Sequence, residues 1–322
     1  MKKFLFFLMF ALLPVVLSAL IINPQKYAEC TLKGLNLWAF TVLPALLPFF
    51  FVTLLIEQTD GAKILSKTLS PVANFLYNTT GTAAAFISVM SYVSGYPLGA
   101  KLISEFYENK IIDRRQAEKM SVFCSTSGPS FIIGSVGASM LKSPAFGAII
   151  FVCHILSGVL TGVLFRKSSN KSIDNGTIAP LLQNKAKKTD LYSCAANVSL
   201  SCLCVGTLIA VFYVFSEILS DLKITYPIIW LLTVLLKDEK KAAAIVAGLF
   251  ECTKGCFMLS YAGKNAIPLI TALISFGGLS VIVQQMAFLS KAKVRFKYFM
   301  AGKLVMTVIS FFLAFIACKI FL

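Results

Sequence analysis

Two segments decide the fold of this chain, and they read Ser94-Gly-Tyr-Pro-Leu-Gly-Ala-Lys101 and Ser125-Thr-Ser-Gly-Pro-Ser-Phe-Ile-Ile-Gly134. Each is an apolar run that is interrupted by Gly and Pro and flanked by hydroxyl side chains. In a membrane, backbone that lacks helical hydrogen bonds is tolerated only where protein or a water-filled cavity covers it, so broken helices tend to mark binding sites. The two segments therefore predict a polar site inside a membrane protein.

The composition supports a membrane protein. Hydrophobic residues make up 57% of the 322 residues, charged residues make up 14%, and the mean hydropathy is +0.82. By these measures the chain is far more apolar than an average soluble domain. The formal net charge of +16 comes mostly from Lys and Arg between apolar runs, which is typical of the positive-inside rule. We expect an integral membrane protein in contact with the lipid bilayer and with no nucleic-acid partner.

Apolar segments recur along the whole chain, at residues 4–22, 35–56, 83–103, 121–141, 144–165, 191–219, 226–236, 242–259, 267–289 and 299–322. They predict an all-α polytopic membrane protein with about 8–10 transmembrane or re-entrant helices. The first segment is longer than a typical signal-peptide core, so we expect an uncleaved helix; a signal peptide is the alternative. Residues 57–80 are expected to form a polar loop with a break at Pro71, and residues 105–119 a short surface helix with solvated charges.

Basic loops constrain the topology. Residues 166–188 and 291–297 are rich in Lys and Arg, so both are expected on the cytoplasmic side together with the N-terminus. An even number of crossings must then separate the N-terminus from 166–188, yet five apolar segments lie between them. At least one segment is therefore re-entrant or broken. The candidates are the segment with Pro44 and Pro48, as a kinked crossing or a re-entrant hairpin, and the segment with Gly128-Pro129.

A short motif recurs in the second half of the chain. Ser125-x-x-Gly128-x-Ser130-x-Ile132 returns as Ser275-x-x-Gly278-x-Ser280-x-Ile282, at a constant offset of 150 residues, and the segment 94–101 has a loose counterpart at 248–255. Transporters with broken helices are often built from such repeats, which predicts two weakly similar, inverted halves. The predicted units are an N-terminal transmembrane helix (1–30), a first repeat (31–165), a basic cytoplasmic linker (166–190), a second repeat (191–290) and a C-terminal transmembrane helix (291–322).

These features together predict a binding site near the middle of the membrane. The second half of a broken helix starts with free N–H groups and the positive end of the helix dipole, which favour an anion. Gly128 and Gly278 are expected to face each other there, while Glu251 fixes Lys254 or couples protons. The alternative is that Gly and Ser only allow close helix packing and that Lys side chains reach the interface. The candidate residues are Ser94, Gly95, Tyr96, Pro97, Lys101, Ser125, Ser127, Gly128, Pro129, Ser130, Glu251, Lys254, Ser275, Gly277, Gly278 and Ser280.

The sequence lacks motifs for catalysis or metal binding. It contains no HExxH, GxSxG, GxxxxGK[ST] or GxGxxG, and its nine cysteines form no CxxC pair. The lone His154 is expected to be packed and hydrogen-bonded rather than a ligand. We therefore expect no enzymatic activity, no cofactor and no metal; a membrane hydrolase with Glu251 as base is the alternative.

The quoted motifs, together with residues 102–110, Gly248-Leu-Phe-Glu251 and Ser275-Phe-Gly-Gly-Leu-Ser280, resemble the sporulation integral membrane proteins of the YlbJ (SpoVV) type. This family is placed in the nucleoside-recognition, or Gate domain, superfamily. The resemblance implies a transporter that moves dipicolinate, a small aromatic dicarboxylate, across the outer forespore membrane. A nucleoside or other small metabolite is an alternative substrate. A scaffold that transports nothing, in a homo-oligomer or with other sporulation membrane proteins, is an alternative of another class.

Overall fold

The computed structural model describes residues 13–57, 60–79, 81–166 and 191–321, and these residues form helices joined by short links. No strand occurs among them. The helices are α1 (Leu13–Ile22), α2 (Pro24–Leu37), α3 (Leu43–Glu57), α4 (Asp60–Tyr77), α5 (Ala83–Ser94), α6 (Leu98–Glu108), α7 (Arg114–Phe123), the π-helical α8 (Ser130–Met140), α9 (Pro144–Leu164), α10 (Leu191–Asp221), α11 (Tyr226–Leu236), α12 (Glu239–Phe250), α13 (Cys252–Leu259), α14 (Ile267–Phe276), α15 (Gly278–Leu289) and α16 (Phe296–Phe321).

Five helical stretches of the described chain are long and apolar enough to cross a membrane: Pro24–Val52, Pro144–Leu164, Leu191–Asp221, Cys252–Leu289 and Phe296–Phe321. The prediction of an all-α polytopic membrane protein is therefore confirmed. The structure describes only part of the predicted first segment, because residues 4–12 lie outside the described ranges, as do residues 167–190 of the basic linker.

Two local expectations were wrong, at 57–80 and at 105–119. The expected loop at 57–80 is the helix α4, which continues through Pro71. Of the two alternatives for the segment with Pro44 and Pro48, the structure has a crossing and not a hairpin, since α2 runs through a short π-helical link into α3 and Pro24–Val52 is long and apolar enough to span a membrane. The charged span 105–119 is not one solvated helix: it contains the end of α6 and most of α7, and Glu118 and Lys119 are buried. Lys119 donates to the carbonyl oxygen of Asn78 at 2.9 Å, and Glu118 pairs with Arg295, so burial of both charges is compensated.

The third apolar segment, at residues 83–103, forms most of an antiparallel hairpin. Its helices α5 and α6 have 12 and 11 residues and meet at Gly95, where φ is +77°. The rings of Phe86 in α5 and Phe106 in α6 stack at 5.8 Å, which shows that α6 folds back along α5. Each helix is only about 18 Å long, shorter than a hydrocarbon core of about 30 Å. A hairpin of two such short helices fits the re-entrant element that the predicted topology requires, and the topology itself stays a prediction.

The same order of elements occurs twice along the chain. The hairpin α5–α6, the broken helix α7–α8 and the long helix α9 correspond to α12–α13, α14–α15 and α16. The long helices α9 and α16 pack together in opposite directions, because Phe165 after α9 contacts Tyr298 near the start of α16. We call α5–α9 the first set and α12–α16 the second set. The predicted boundary at residue 30 falls inside α2, and the five predicted units as a whole stay a prediction.

Candidate functional site

In each set the hairpin tip packs against the break of the following helix, and a glycine makes the contact possible. A Cβ on Gly128 would lie 2.8 Å from the carbonyl oxygen of Ser94, at the first tip. A Cβ on Gly278 would lie 2.8 Å from the carbonyl oxygen of Gly248, near the second tip, and Gly278 also has a φ of +70°. Other residues have no room for a side chain at these points. Gly128 and Gly278 therefore join each tip to its own break.

His154, in the middle of α9, connects the two breaks. Its Nε2 accepts a hydrogen bond from the backbone N–H of Ser127 at 2.9 Å, and its Nδ1 lies 2.8 Å from the hydroxyl of Ser275. Because Nε2 is an acceptor, Nδ1 carries the proton and donates to Ser275. The side chain is fully buried. His154 is therefore packed and hydrogen-bonded, as the sequence predicted, and it holds the two sets together.

Lys303, in α16, makes a second connection between the breaks. Its ammonium donates to the carbonyl oxygen of Ser125 at 2.7 Å and to that of Ser275 at 3.2 Å. The side chain is 1% exposed. Near it, the hydroxyl of Ser125 bonds to the amide oxygen of Gln285 in α15. Two antiparallel helices thus each contribute one polar side chain that bridges the first break and the second.

A small cavity of about 40 Å³ lies where the first tip, the first break and the second tip meet. Its polar wall includes buried hydroxyls of Ser94 and Ser127 and the hydroxyl of Tyr96, and none of the three has a hydrogen-bond partner among the described residues. Tyr96 and Ser127 lie near each other, but without a hydrogen bond of ordinary geometry. Buried hydroxyls without partners are uncommon in folded proteins. They indicate a place for a polar ligand or for water.

The helix ends around the cavity differ in how they are capped. α6 and α8 begin after Pro97 and Pro129, and a proline side chain has no acceptor for the first N–H groups of a helix. α13 begins after Glu251, whose carboxylate accepts from the backbone N–H of Lys254 at 2.6 Å. A carboxylate therefore already occupies the N-terminus of α13, whereas the N-termini of α6 and α8 have no capping side chain.

The structure brings part of the predicted site together. The predicted residues that line this cavity are Ser94, Tyr96, Ser127, Gly128, Glu251 and Ser280. Ser125 accepts a hydrogen bond from Lys303, and Ser275 forms one with His154. The hydroxyl of Ser130 is buried without a partner among the described residues. Gly95 contacts Gly128 at the first tip, and Gly277 and Gly278 form the second break. The site assignment itself stays a prediction.

One expected contact between charged side chains was wrong. Glu251 does not hold the Lys254 side chain, because its carboxylate caps the backbone of α13; the Lys254 ammonium instead lies 2.5 Å from Glu217 and 2.7 Å from Ser216, both in α10. The alternative role of Glu251 in coupling protons stays a prediction, as does the role of Lys101, which is exposed and does not line the small cavity. Lys101 lies with Pro97 in a neighbouring cavity of about 160 Å³, and Ser94 is common to both.

Lys303 and Gln285 were not among the residues predicted from the sequence, and the connection that His154 makes between the two breaks was not predicted either. One signal was present: a charged residue inside a transmembrane segment indicates function by default, and Lys303 lies in an apolar run. Its partners could not be read from the sequence, because Ser125 and Ser275 are far from it along the chain. No group of three or more His, Cys, Asp or Glu side chains that could hold a metal occurs in the described ranges.

Comparison with known proteins gives one informative match. The chain is 26% identical over 312 residues to the sporulation integral membrane protein YlbJ of Bacillus subtilis (strain 168), covering 89% of this chain and 76% of that protein. No family model matches the chain, and no solved structure matches it. The match extends over both sets of helices. It confirms the resemblance predicted from the motifs and supports the assignment of this integral membrane protein to the YlbJ family.

Proposed function

We propose that this protein is a transporter for a small anionic solute and that the solute binds at the first hairpin tip. The observation that carries the proposal is the group of three hydroxyls without partners, on Ser94, Tyr96 and Ser127, beside two helix N-termini that no side chain caps. Hydroxyls and N–H groups donate hydrogen bonds, and a helix N-terminus favours negative charge. An anion satisfies all of these groups.

We propose that the solute reaches the small cavity from the membrane surface by way of Lys101. Its cavity adjoins the small one at Ser94 and includes the polar side chains of Asn197 and Ser201 in α10. The small cavity, at about 40 Å³, has room for only a few water molecules. We interpret this conformation as closed around the site. An anion attracted by Lys101 would then reach Ser94 after the α5–α6 tip and α10 move apart.

We propose dipicolinate as the solute and the outer forespore membrane as the location. Dipicolinate is a pyridine ring with two carboxylates, which suits the two uncapped helix ends. The relative's name connects that protein with sporulation, and the motif resemblance implies dipicolinate transport. The proposal includes no enzymatic step and no cofactor.

The experiment is uptake of radiolabelled dipicolinate into liposomes that contain the purified full-length protein. Isophthalate, which has the same two carboxylates on a ring without nitrogen, and uridine are measured in parallel. We expect saturable dipicolinate uptake that is reduced in the Ser94→Ala, Ser127→Ala double variant. Equal uptake of dipicolinate and isophthalate would support an anion carrier that does not recognise the ring nitrogen.

Two outcomes would contradict the proposal. Uptake of uridine without dipicolinate would replace the anion by a nucleoside. A lack of flux of all three compounds, by protein shown to be folded from its thermal unfolding, would favour the scaffold alternative. The double variant also separates specific transport from leak, because a leak does not depend on two buried hydroxyls.

A further inference from the structure

The surroundings of Lys303 are unusual for a buried ammonium. A charge taken out of water is normally paired with an opposite charge, because its desolvation is otherwise very costly. Lys303 is 1% exposed, yet no carboxylate of the described residues lies within ion-pair distance of its Nζ. Its polar partners are two backbone carbonyl oxygens. The rings of Tyr96 and Phe299 lie 5.8 and 6.0 Å from it, and the other titratable groups that face it are His154 and Cys252.

Both carbonyls lie at the C-terminal ends of helices: that of Ser275 is in the last turn of α14, and that of Ser125 is two residues beyond the last residue of α7. The last carbonyl groups of a helix have no partner within it and carry the negative end of the helix dipole. Two such ends meet at one point here, since each helix is broken just after it. The meeting point attracts a cation without any acidic side chain.

Transporters with broken helices commonly place a coupling ion at such a point, where carbonyls and helix C-termini bind Na⁺ or a proton. In this chain the ammonium of α16 lies in that position. An ammonium on a tether contributes positive charge and up to three N–H donors, and it cannot leave the site.

We propose that the Lys303 ammonium is the resident cation of a cation site formed by the C-terminal ends of α7 and α14, so that the protein holds these ends together without Na⁺. The inference concerns the coupling ion and not the substrate. It therefore does not depend on the proposed function, and its test uses no transported solute.

The test measures the thermal unfolding of the purified full-length protein in NaCl and in choline chloride at equal ionic strength. We expect equal Tm values in the two salts for the natural sequence. Lys303→Ala removes the ammonium and leaves space between the two carbonyls. We expect its Tm to be lower in choline chloride and to rise with Na⁺ concentration to a plateau, because an ion that binds only the folded state stabilises it.

Two further variants control for packing and for hydrogen bonding. Lys303→Gln fills most of the space and keeps two N–H donors but has no charge, so we expect a lowered Tm. Lys319→Ala removes an exposed lysine from the same helix, and we expect it to match the natural sequence in both salts. If Lys303→Ala does not accumulate in the membrane, Lys303→Gln and the natural sequence still provide the test.

Three results would overturn the inference. A Tm that rises in Na⁺ relative to choline by the same amount in the natural sequence and in Lys303→Ala would mean that Lys303 does not take the place of Na⁺. A folded Lys303→Ala variant that is insensitive to Na⁺ would mean that the two carbonyls form no cation site. A Lys303→Gln variant as stable as the natural sequence would mean that hydrogen bonds, and not charge, are what Lys303 contributes.

Discussion

The tips of the two hairpins occupy equivalent places but differ in chemistry. Each tip packs against the break of the helix that follows its own hairpin, through Gly128 in the first set and Gly278 in the second. At the second tip Glu251 caps α13 with a carboxylate from the chain itself. At the first tip α6 begins after a proline, and the nearby hydroxyls of Ser94 and Ser127 have no partner in the described ranges.

The difference shows how two related halves can have different roles. A helix N-terminus at membrane depth needs an acceptor, because lipid provides none. The second tip contains its own acceptor and is complete as a structural element. The first tip lacks one, so a solute can take that place. We therefore expect changes to the polar groups of the first tip to affect transport and changes to the polar groups of the second tip to affect stability.

The largest effect is expected where a tip meets a break. Gly128→Leu places a side chain where even a Cβ would lie 2.8 Å from the carbonyl oxygen of Ser94. The tip must then separate from the break, and we expect dipicolinate uptake to be abolished while the protein still reaches the membrane. Gly278→Leu should have the same effect on uptake and lower the Tm as well, because a φ of +70° strains any other residue.

Gly263 provides the control for this prediction. Its φ is +53°, but no heavy atom lies within 4 Å of a Cβ built on it. Its ψ of −131° is a conformation that only Gly adopts readily, so Gly263→Ala should retain uptake and lose about 1–3 kcal/mol of stability from backbone strain. Normal uptake by Gly128→Leu would mean that transport does not need the contact between the first tip and its break, and the comparison of the two tips would have no basis.

A smaller and more specific effect is expected at the serines of the two breaks. Ser127→Ala removes a hydroxyl without a partner, so we expect the apparent dipicolinate affinity to fall about tenfold, or about 1.4 kcal/mol, with no loss in Tm. Ser275→Ala removes the acceptor of the His154 Nδ1–H, and a buried donor without a partner should lower stability by about 1–3 kcal/mol.

Uptake kinetics and thermal unfolding of the two serine variants measure this contrast. If Ser127→Ala lowers the Tm and leaves the affinity unchanged, its hydroxyl has a structural partner after all. The proposed chemical difference between the two tips would then have no support, even if Gly128→Leu and Gly278→Leu behaved as expected.

Glu251→Gln should have the opposite signature to Ser127→Ala. The amide is a weaker cap than the carboxylate and does not complement the helix dipole, so we expect about 1 kcal/mol of lost stability. The affinity for an anion should not fall, because a negative charge has left the cavity wall. Uptake kinetics and thermal unfolding of Glu251→Gln test this prediction. A reduced affinity at unchanged Tm would show that Glu251 contacts the substrate and that both tips bind it.

The sequence allowed the breaks to be predicted because Gly and Pro act locally. The segments at Ser94 and Gly128 and the repeat at Gly278 all fall where the described helices end. The sequence did not reveal the hairpin shape of 83–108, because a turn at Gly95 and a kink there look alike in an apolar run. The helix α4 was missed because its lysines suggested a loop, although a polar stripe on one face also fits a helix.

Contacts between residues that are far apart along the chain could not be predicted either. Glu251 and Lys254 are three residues apart, which suggested an ion pair, yet an N-cap carboxylate reaches the backbone at that spacing. Lys254 instead reaches across to Glu217 in α10. Lys303 meets Ser125 and Ser275 only because α16 crosses both breaks. No local pattern encodes such a crossing.

The smallest effect is expected at the start of the two hairpins, outside the membrane-spanning helices. Asp238 caps α12, and the backbone N–H and the ammonium of Lys241 hold the pKa of its carboxyl below its ordinary value. Thr82, before α5, makes no side-chain cap and does not titrate. Since the folded state lowers this pKa, the stabilisation from Asp238 is fully present above the ordinary value near 3.8 and is lost as the pH falls through the lowered one.

Asp238→Asn should therefore lower the Tm slightly at neutral pH, and the difference from the natural sequence should shrink as the pH falls below 3.8. Thr82→Ala is the matched change in the first set, and its small difference should not vary with pH. Thermal unfolding of the three proteins over this pH range measures both effects. Parallel pH profiles for Asp238→Asn and the natural sequence would mean that the carboxylate does not stabilise α12, and that the two hairpins start alike despite the difference at their tips.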